Sequence, residues 1–224
     1  MISQLLKNYN SVIVLDGTVP SKKLLSKLCR RKHVLCADGA YKKVSNYGLH
    51  ADFISGDFDS LDKNLVDEGI HVNHIEDQNS TDFEKAIDLV RQQQIGPSLI
   101  TGFSGGEIDH IIGNISILVK FFDKTNKHEF CFLDQDSKGH IKFGMVIHDK
   151  FNSELKHKSI ISLIPFPEAV VSSIGLKYEM DELELKQTSG LLGLRNETSS
   201  NGGFTITVHK GLVLLIADIS YLFG

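Results

Sequence analysis

Short strand-like runs recur along the first part of the chain, at residues 11–15, 33–37, 52–55, 71–75, 98–101 and 129–133. Between them lie segments of helical period. Residues 82–94 carry Phe83, Ala86, Ile87 and Val90 on one stripe, and residues 107–122 carry Ile108, Ile111, Ile112, Ile115, Val119 and Phe122 on another. Apolar positions three and four apart share one face of a helix, so both stripes are expected to face a sheet. Strand runs alternating with helical segments predict a parallel sheet flanked by helices.

After about residue 139 the period changes and no long helical stripe returns. Phe204, Ile206 and Val208 alternate with Thr205, Thr207 and His209, and Lys210-Gly211 precedes a second apolar run, residues 212–216. That pattern predicts an antiparallel hairpin turning at Lys210-Gly211. Turn residues recur at Gly175, Gly190, Gly193 and Gly202-Gly203, as in a small β-sandwich or barrel. The expected fold is an α/β domain over residues 1–135 followed by a small antiparallel β-sandwich or barrel over residues 139–224, joined by the polar segment 134–139.

The chain has 224 residues, of which 41% are hydrophobic, enough for an ordinary globular core. Acidic residues outnumber basic ones by 28 to 24, so the summed field attracts neither nucleic acid nor an anionic membrane surface. Cys29, Cys36 and Cys131 form no CxxC pair and are odd in number, which fits a reducing, cytoplasmic compartment. No uninterrupted apolar run approaches the roughly 18 residues needed to span a bilayer.

Ligands of open α/β sheets bind beyond the carboxyl ends of the strands. The polar clusters that follow the strand runs are Ala37-Asp38-Gly39-Ala40, Ser55-Gly56-Asp57-Phe58-Asp59-Ser60, Glu76-Asp77-Gln78-Asn79-Ser80-Thr81-Asp82, and Thr101 through His110. In an extended segment Asp57 and Asp59 point to the same side, and two converging carboxylates repel unless a proton or a cation lies between them. Mg²⁺ suits such a pair, because it takes one or two carboxylates and fills its shell with water and phosphate oxygens. The same residues also suit a plain turn in which Asp59 or Ser60 caps a following helix. Thr81 with Glu84 three residues on is a capping box. Asp77, Gln78 and Asp82 crowd the same helix start, a pattern suited to a metal-bound phosphate. Lys85 either reaches a phosphate or sits as a solvated surface lysine. Gly105-Gly106 offers free amides to a phosphate or simply forms a loop. Asp109 reads equally as a helix cap, and His110 as a buried, hydrogen-bonded side chain. His71 and His74, with no third ligand, do not make a zinc site.

GxxxxGK[ST], GxGxxG and GxSxG are all absent. A carboxylate-rich, glycine-punctuated edge with no nucleophile motif points to phosphoryl-type transfer, where positioning and metal charge carry catalysis.

Taken in order, Ala37-Asp38-Gly39-Ala40, Gly56-Asp57-Phe58-Asp59-Ser60, Asp77-Gln78 with Thr81-Asp82 and Lys85-Ala86, and Gly105-Gly106 with Asp109-His110 and Asn114 resemble the motifs of the thiamin pyrophosphokinase family. The likeness continues through residues 162–166, Gly175-Leu176-Lys177-Tyr178 and Asn196-Glu197. The resemblance implies a β-sandwich, rather than a barrel, after the α/β domain, and transfer of pyrophosphate from ATP to thiamin with release of AMP, in a homodimer whose substrate site lies between subunits. It implies that Asp57, Asp59 and Asp82 hold Mg²⁺, with Asp109 joining them in catalysis. Asp38, Gly39, Gly56, Gln78, Thr81, Lys85, Gly105 and Gly106 would shape the ATP site. Tyr178, Arg195 and Asn196 would meet thiamin. Glu107 stands where the family usually carries Arg, Tyr178 where members carry Trp or Tyr, and Arg195 where Ser is usual. A pyrophosphokinase for another alcohol, such as a hydroxymethylpterin, and a non-catalytic nucleotide- or thiamin-binding module are the alternatives.

Overall fold

A computed structural model describes residues 1–56, 69–74, 79–126, 129–199 and 201–223. The chain divides into two compact units. Asn8–Leu118 with Phe132–Asp136 forms the α/β unit, and Met1–Lys7, Val119–Cys131 and Ser137–Gly224 form the other. Together they give the mixed α/β class expected.

The α/β unit is built on β1 (Ser11–Val14), β2 (His33–Ala37), β3 (Phe53–Gly56), β4 (His71–His74), β5 (Ser98–Thr101) and β6 (Phe130–Gln135). Their order across the sheet is β6-β5-β1-β2-β3-β4. Ladders β1–β2, β1–β5, β2–β3 and β3–β4 are all parallel. β1 and β5 are buried along their whole length, which is why they read as unbroken apolar runs. The helices are α2 (Lys22–Cys29), α3 (Asp38–Asn46), α4 (Asp82–Gln92) and α5 (Ile108–Lys120), while α1 (Ile2–Asn8) precedes β1. α4 buries Phe83, Ala86, Ile87 and Val90 as its stripe predicts. Among the described residues no helix is long and apolar enough to cross a membrane. All three cysteines are free. Burial pushes the Cys29 and Cys131 thiols up to about 12, so neither is a ready thiolate.

The expectation for α5 is corrected. Ile108 is 74% exposed and Ile112 59% exposed, whereas Ile117 and Leu118, outside the expected stripe, are buried. His110, Gly113, Asn114 and Ile117 share a helical face and line a cavity of the α/β unit, so the isoleucine stripe is turned away from it. An amphipathic period identifies a face but not what the face meets.

The second unit is antiparallel. Its long strands β9 (Ile160–Ile174) and β12 (Gly203–Asp218) pair along most of their length. One half of this ribbon is flanked by β7 (Ile141–Ile147) on β12 and β11 (Gly193–Glu197) on β9. The other half is flanked by β8 (Lys150–Glu154) on β12 and β10 (Leu183–Lys186) on β9. The hairpin expected at Lys210-Gly211 does not form. β12 runs straight through it, with register shifts between Val208 and Lys210 and between Gly211 and Leu212. Gly211 has φ 86°, and a Cβ there would lie 2.2 Å from the Glu168 carbonyl oxygen. Glycine at a β-bulge meets the same steric demand as glycine in a hairpin turn.

Candidate active site

Sheet order in the α/β unit reverses between β1 and β5, because the chain first steps outward through β2, β3 and β4 and then crosses to the other side of β1. Crevices at such switch points, beyond the carboxyl ends of the strands, are where open α/β sheets bind ligands. A cavity of about 380 Å³ opens there. Its wall includes Asp16 and Gly17 after β1, Thr81 and Asp82 at the start of α4, and Gly105, Gly106, Asp109, His110 and Asn114 around the start of α5.

The strand ends carry carboxylates that lean over glycines. A Cβ on Gly39 would lie 2.7 Å from Cγ and Oδ2 of Asp16, and a Cβ on Gly56 would lie 2.7 Å from Cγ of Asp38. Asp38 is buried and accepts the Gly39 N–H at 2.5 Å. The Asp16 carboxylate is held by Lys43 Nζ at 2.9 Å, and the same ammonium reaches the carbonyls of Asp16 at 3.0 Å and Gly17 at 3.2 Å. Sequence reasoning missed Asp16. Its signal was its place directly after the first strand run, matching that of Asp38 after the second.

The capping box at α4 is present. Thr81 Oγ1 accepts from Glu84 N at 3.2 Å, and Glu84 Oε2 accepts from Thr81 N at 2.9 Å. Thr81 therefore organises the helix start, and Asp82, the first residue of α4, is left at the cavity. Lys85 is not a solvated surface lysine. Its side chain is 5% exposed, and Nζ donates to Asp82 Oδ1 at 3.4 Å. His110 is exposed at the cavity wall rather than buried as expected. Glu107 is exposed and is not part of that wall.

The loop from β5 to α5 is tied down on both sides. Phe103 N and Ser104 N donate to the buried Asp134 carboxylate at 3.2 and 2.6 Å. Gly17 N donates to Gly102 O at 3.0 Å, Thr18 N to Ser104 O at 2.7 Å, and Asn114 Nδ2 to Phe103 O at 2.8 Å. The Gly105 and Gly106 N–H groups have no partner among the described residues.

Asp57, Asp59 and Gln78 lie outside the described residues. Among the described residues no three acidic, histidine or cysteine side chains gather to hold a metal ion. Asp16, Asp82 and Asp109 are nevertheless all among the residues that line the cavity, and no thiolate is. Carboxylate oxygens of this kind fit a hard divalent cation.

In the antiparallel unit Tyr178 is 64% exposed, with Lys177 Nζ 5.3 Å from its ring centroid. Asn196 is buried, and its amide clamps the backbone of Tyr178. Oδ1 accepts from Tyr178 N at 3.1 Å and Glu197 N at 2.9 Å, while Nδ2 donates to Tyr178 O at 2.6 Å. Arg195 is exposed, has φ 54°, and donates its N–H to Ser162 Oγ at 3.1 Å. Asn196 thus holds the tyrosine segment, while Tyr178 and Arg195 present their side chains outward.

A parallel sheet whose switch point opens on acidic side chains and uncommitted glycine amides defines an α/β enzyme cleft. The profile described as thiamin pyrophosphokinase, catalytic domain, matches residues 24–131. Thiamin pyrophosphokinase 1 of Caenorhabditis elegans is 28% identical over 189 residues, which cover 78% of this chain and 75% of the relative. Thiamine pyrophosphokinase of Bacillus subtilis is 28% identical over 169 residues, covering 72% and 75%. In fold, the chain is similar to the crystal structure of yeast thiamin pyrophosphokinase, with TM-score 0.79 at 16% identity over 97% of this chain and 90% of that one. Over nearly half of its length in the family profile, and over most of it in these relatives, the chain is similar to thiamin pyrophosphokinases.

Proposed function

We propose that the chain is a thiamin pyrophosphokinase, a transferase that moves the pyrophosphoryl group of ATP to the hydroxyl of thiamin and releases AMP. The observation that carries this reading is the switch-point cavity, which Asp82, Asp109 and the glycine pair Gly105-Gly106 all line. Oxygens of the polyphosphate accept from the Gly105 and Gly106 amides beside the positive end of α5. Asp57, Asp59 and Asp82 hold Mg²⁺, whose charge offsets that of the polyphosphate. Asp38, Gly39, Gly56, Gln78, Thr81 and Lys85 shape the nucleotide site, Asp38 by packing on Gly56 and Thr81 by fixing the helix start that carries Asp82. The thiamin hydroxyl attacks the β-phosphorus in line, and the bond to the α-phosphate oxygen breaks with AMP as leaving group. A carboxylate takes up the hydroxyl proton, but alignment contributes more than basicity, since carboxylates in their usual range are weak bases.

The α/β domain, residues 1–135, is the catalytic part of this reading. Residues 139–224 are a β-sandwich whose Tyr178, Arg195 and Asn196 serve thiamin, the last by holding Tyr178. The enzyme works in the cytoplasm as a homodimer, with neither nucleic acid nor membrane as partner. Exposed Ile108 and Ile112 on α5 are apolar area for a second copy to cover.

AMP release from ATP, measured with and without thiamin and Mg²⁺, tests the reading. Release is expected only when both are present; release with a hydroxymethylpterin but not thiamin would reassign the substrate, and no release would leave a binding module. Sedimentation of the same preparation as a 24.9 kDa species would remove the dimer. For the thiamin side, a cationic thiazolium over an aromatic face gains about 0.5–2 kcal/mol. Tyr178→Ala is therefore expected to raise the KM for thiamin by about twofold to thirtyfold and leave that for ATP unchanged; equal changes in both would make Tyr178 a packing residue.

A further inference from the structure

The parallel unit contains a buried carboxylate that the transfer chemistry does not use. Asp134, near the carboxyl end of β6, is 3% exposed, and burial pushes its pKa above the usual carboxylate range. A buried charge is costly unless donors surround it. Here the donors come from one short stretch: Phe103 N at 3.2 Å, Ser104 N at 2.6 Å and Thr101 Oγ1 at 3.5 Å, with the Gly102 backbone and Ser104 side chain also bonded. Successive amides converging on an anion form a concave nest. The carbonyls of residues 102, 103 and 104 are taken by Gly17 N, Asn114 Nδ2 and Thr18 N. The N–H groups of the next two residues, Gly105 and Gly106, which line the cavity, are uncommitted among the described residues.

We propose that Asp134 is a positioning residue for the polyphosphate of the substrate, acting through the β5–α5 loop to hold the Gly105 and Gly106 amides at the cavity. It touches no substrate. Its carboxylate serves as an internal anion that folds residues 102–104 into a nest, so that the chain leaves the nest with its glycine amides available to a second, external anion. This rests on the reading of the cavity as a polyphosphate site.

Asp134→Asn keeps the shape but turns one acceptor into a donor facing the loop amides. An unsatisfied buried group of this kind is expected to weaken binding of inorganic triphosphate with Mg²⁺, measured by calorimetry, by about tenfold or more. The KM for ATP should rise by the same factor while that for thiamin stays within about twofold. A lowered melting temperature with both KM values and the triphosphate affinity unchanged would make Asp134 purely structural and overturn the proposal. If the variant does not fold, hydrogen exchange on the unmodified protein decides. Phe103 and Ser104 amides should be protected without ligand, and Gly105 and Gly106 should become protected only on adding triphosphate. Glycine amides that ignore triphosphate, or unmodified protein that does not bind it, overturn the proposal. Protein that binds triphosphate yet transfers nothing to thiamin overturns the substrate reading alone.

Discussion

Asp82→Asn is expected to lower thiamin-dependent AMP release by about a hundredfold or more, equivalent to about 2.7 kcal/mol at the transition state. Asp82 is the first residue of α4 and lines the switch-point cavity. The helix start does not depend on it, since the capping box is made by Thr81 and Glu84. Removing its charge costs the first turn about 0.3–1 kcal/mol through the helix dipole, and the asparagine oxygen can still accept from Lys85. The loss should therefore fall on turnover and on the Mg²⁺ concentration needed for half-maximal rate, with the melting temperature nearly unchanged. Activity within about threefold of the unmodified enzyme at limiting Mg²⁺ would remove Asp82 from the metal site, because loss of a ligand carboxylate should cost far more. Asp57→Asn and Asp59→Asn carry the same expectation, on the ground that the paired carboxylates of Gly56-Asp57-Phe58-Asp59 repel unless a proton or a cation lies between them, and Mg²⁺ is the cation of this reading.

The α/β unit was legible because its central strands are buried on both faces. Such strands appear in sequence as continuous apolar runs, so β1, β2 and β5 stand where those runs lie. α2 and α3 went unread: α2 is short, and α3 begins at Asp38 directly after β2, where a polar cluster reads as a loop. The α5 stripe was visible, but the face that meets the α/β unit carries His110, Gly113 and Asn114, residues that no apolar period reveals. Lys210-Gly211 failed as a turn for a related reason, since a positive φ is demanded equally by hairpins and bulges and only the partner strand separates them. At the candidate site, Asp82, Asp109, Gly105 and Gly106 were legible as clusters beside strand and helix ends. Asp16 and Asp134 were not, because each is a single carboxylate whose role depends on what lies across the sheet: Gly39 and Lys43 for the first, the loop amides for the second.

The glycine pair separates backbone availability from space. Gly105 has φ 89°, and a Cβ there would stand 1.9 Å from Thr18 Oγ1, 2.7 Å from Thr18 Cβ and 2.8 Å from Thr18 N. Thr18 cannot simply swing aside, because its own N–H holds Ser104 O at 2.7 Å. Gly105→Ala must therefore part the β1 and β5 loops, adding a clash to a conformational strain of about 1–3 kcal/mol. Gly106 has φ 73° but nothing within 4 Å of its missing Cβ, so Gly106→Ala carries the strain alone. Both variants keep their amide N–H. If the loops form the polyphosphate cradle, Gly105→Ala should lose about a hundredfold or more in kcat/KM for ATP, because misplacement by an ångström at a positioned reactant costs that much. Gly106→Ala should lose about tenfold or less, in line with strain of about 1 kcal/mol. Thermal melting of both variants keeps loop movement apart from global unfolding. Equal losses would mean that the contact with Thr18 does not set the cradle, and a larger loss for Gly106→Ala would place the ligand in the open space beside Gly106, where an added methyl would meet it.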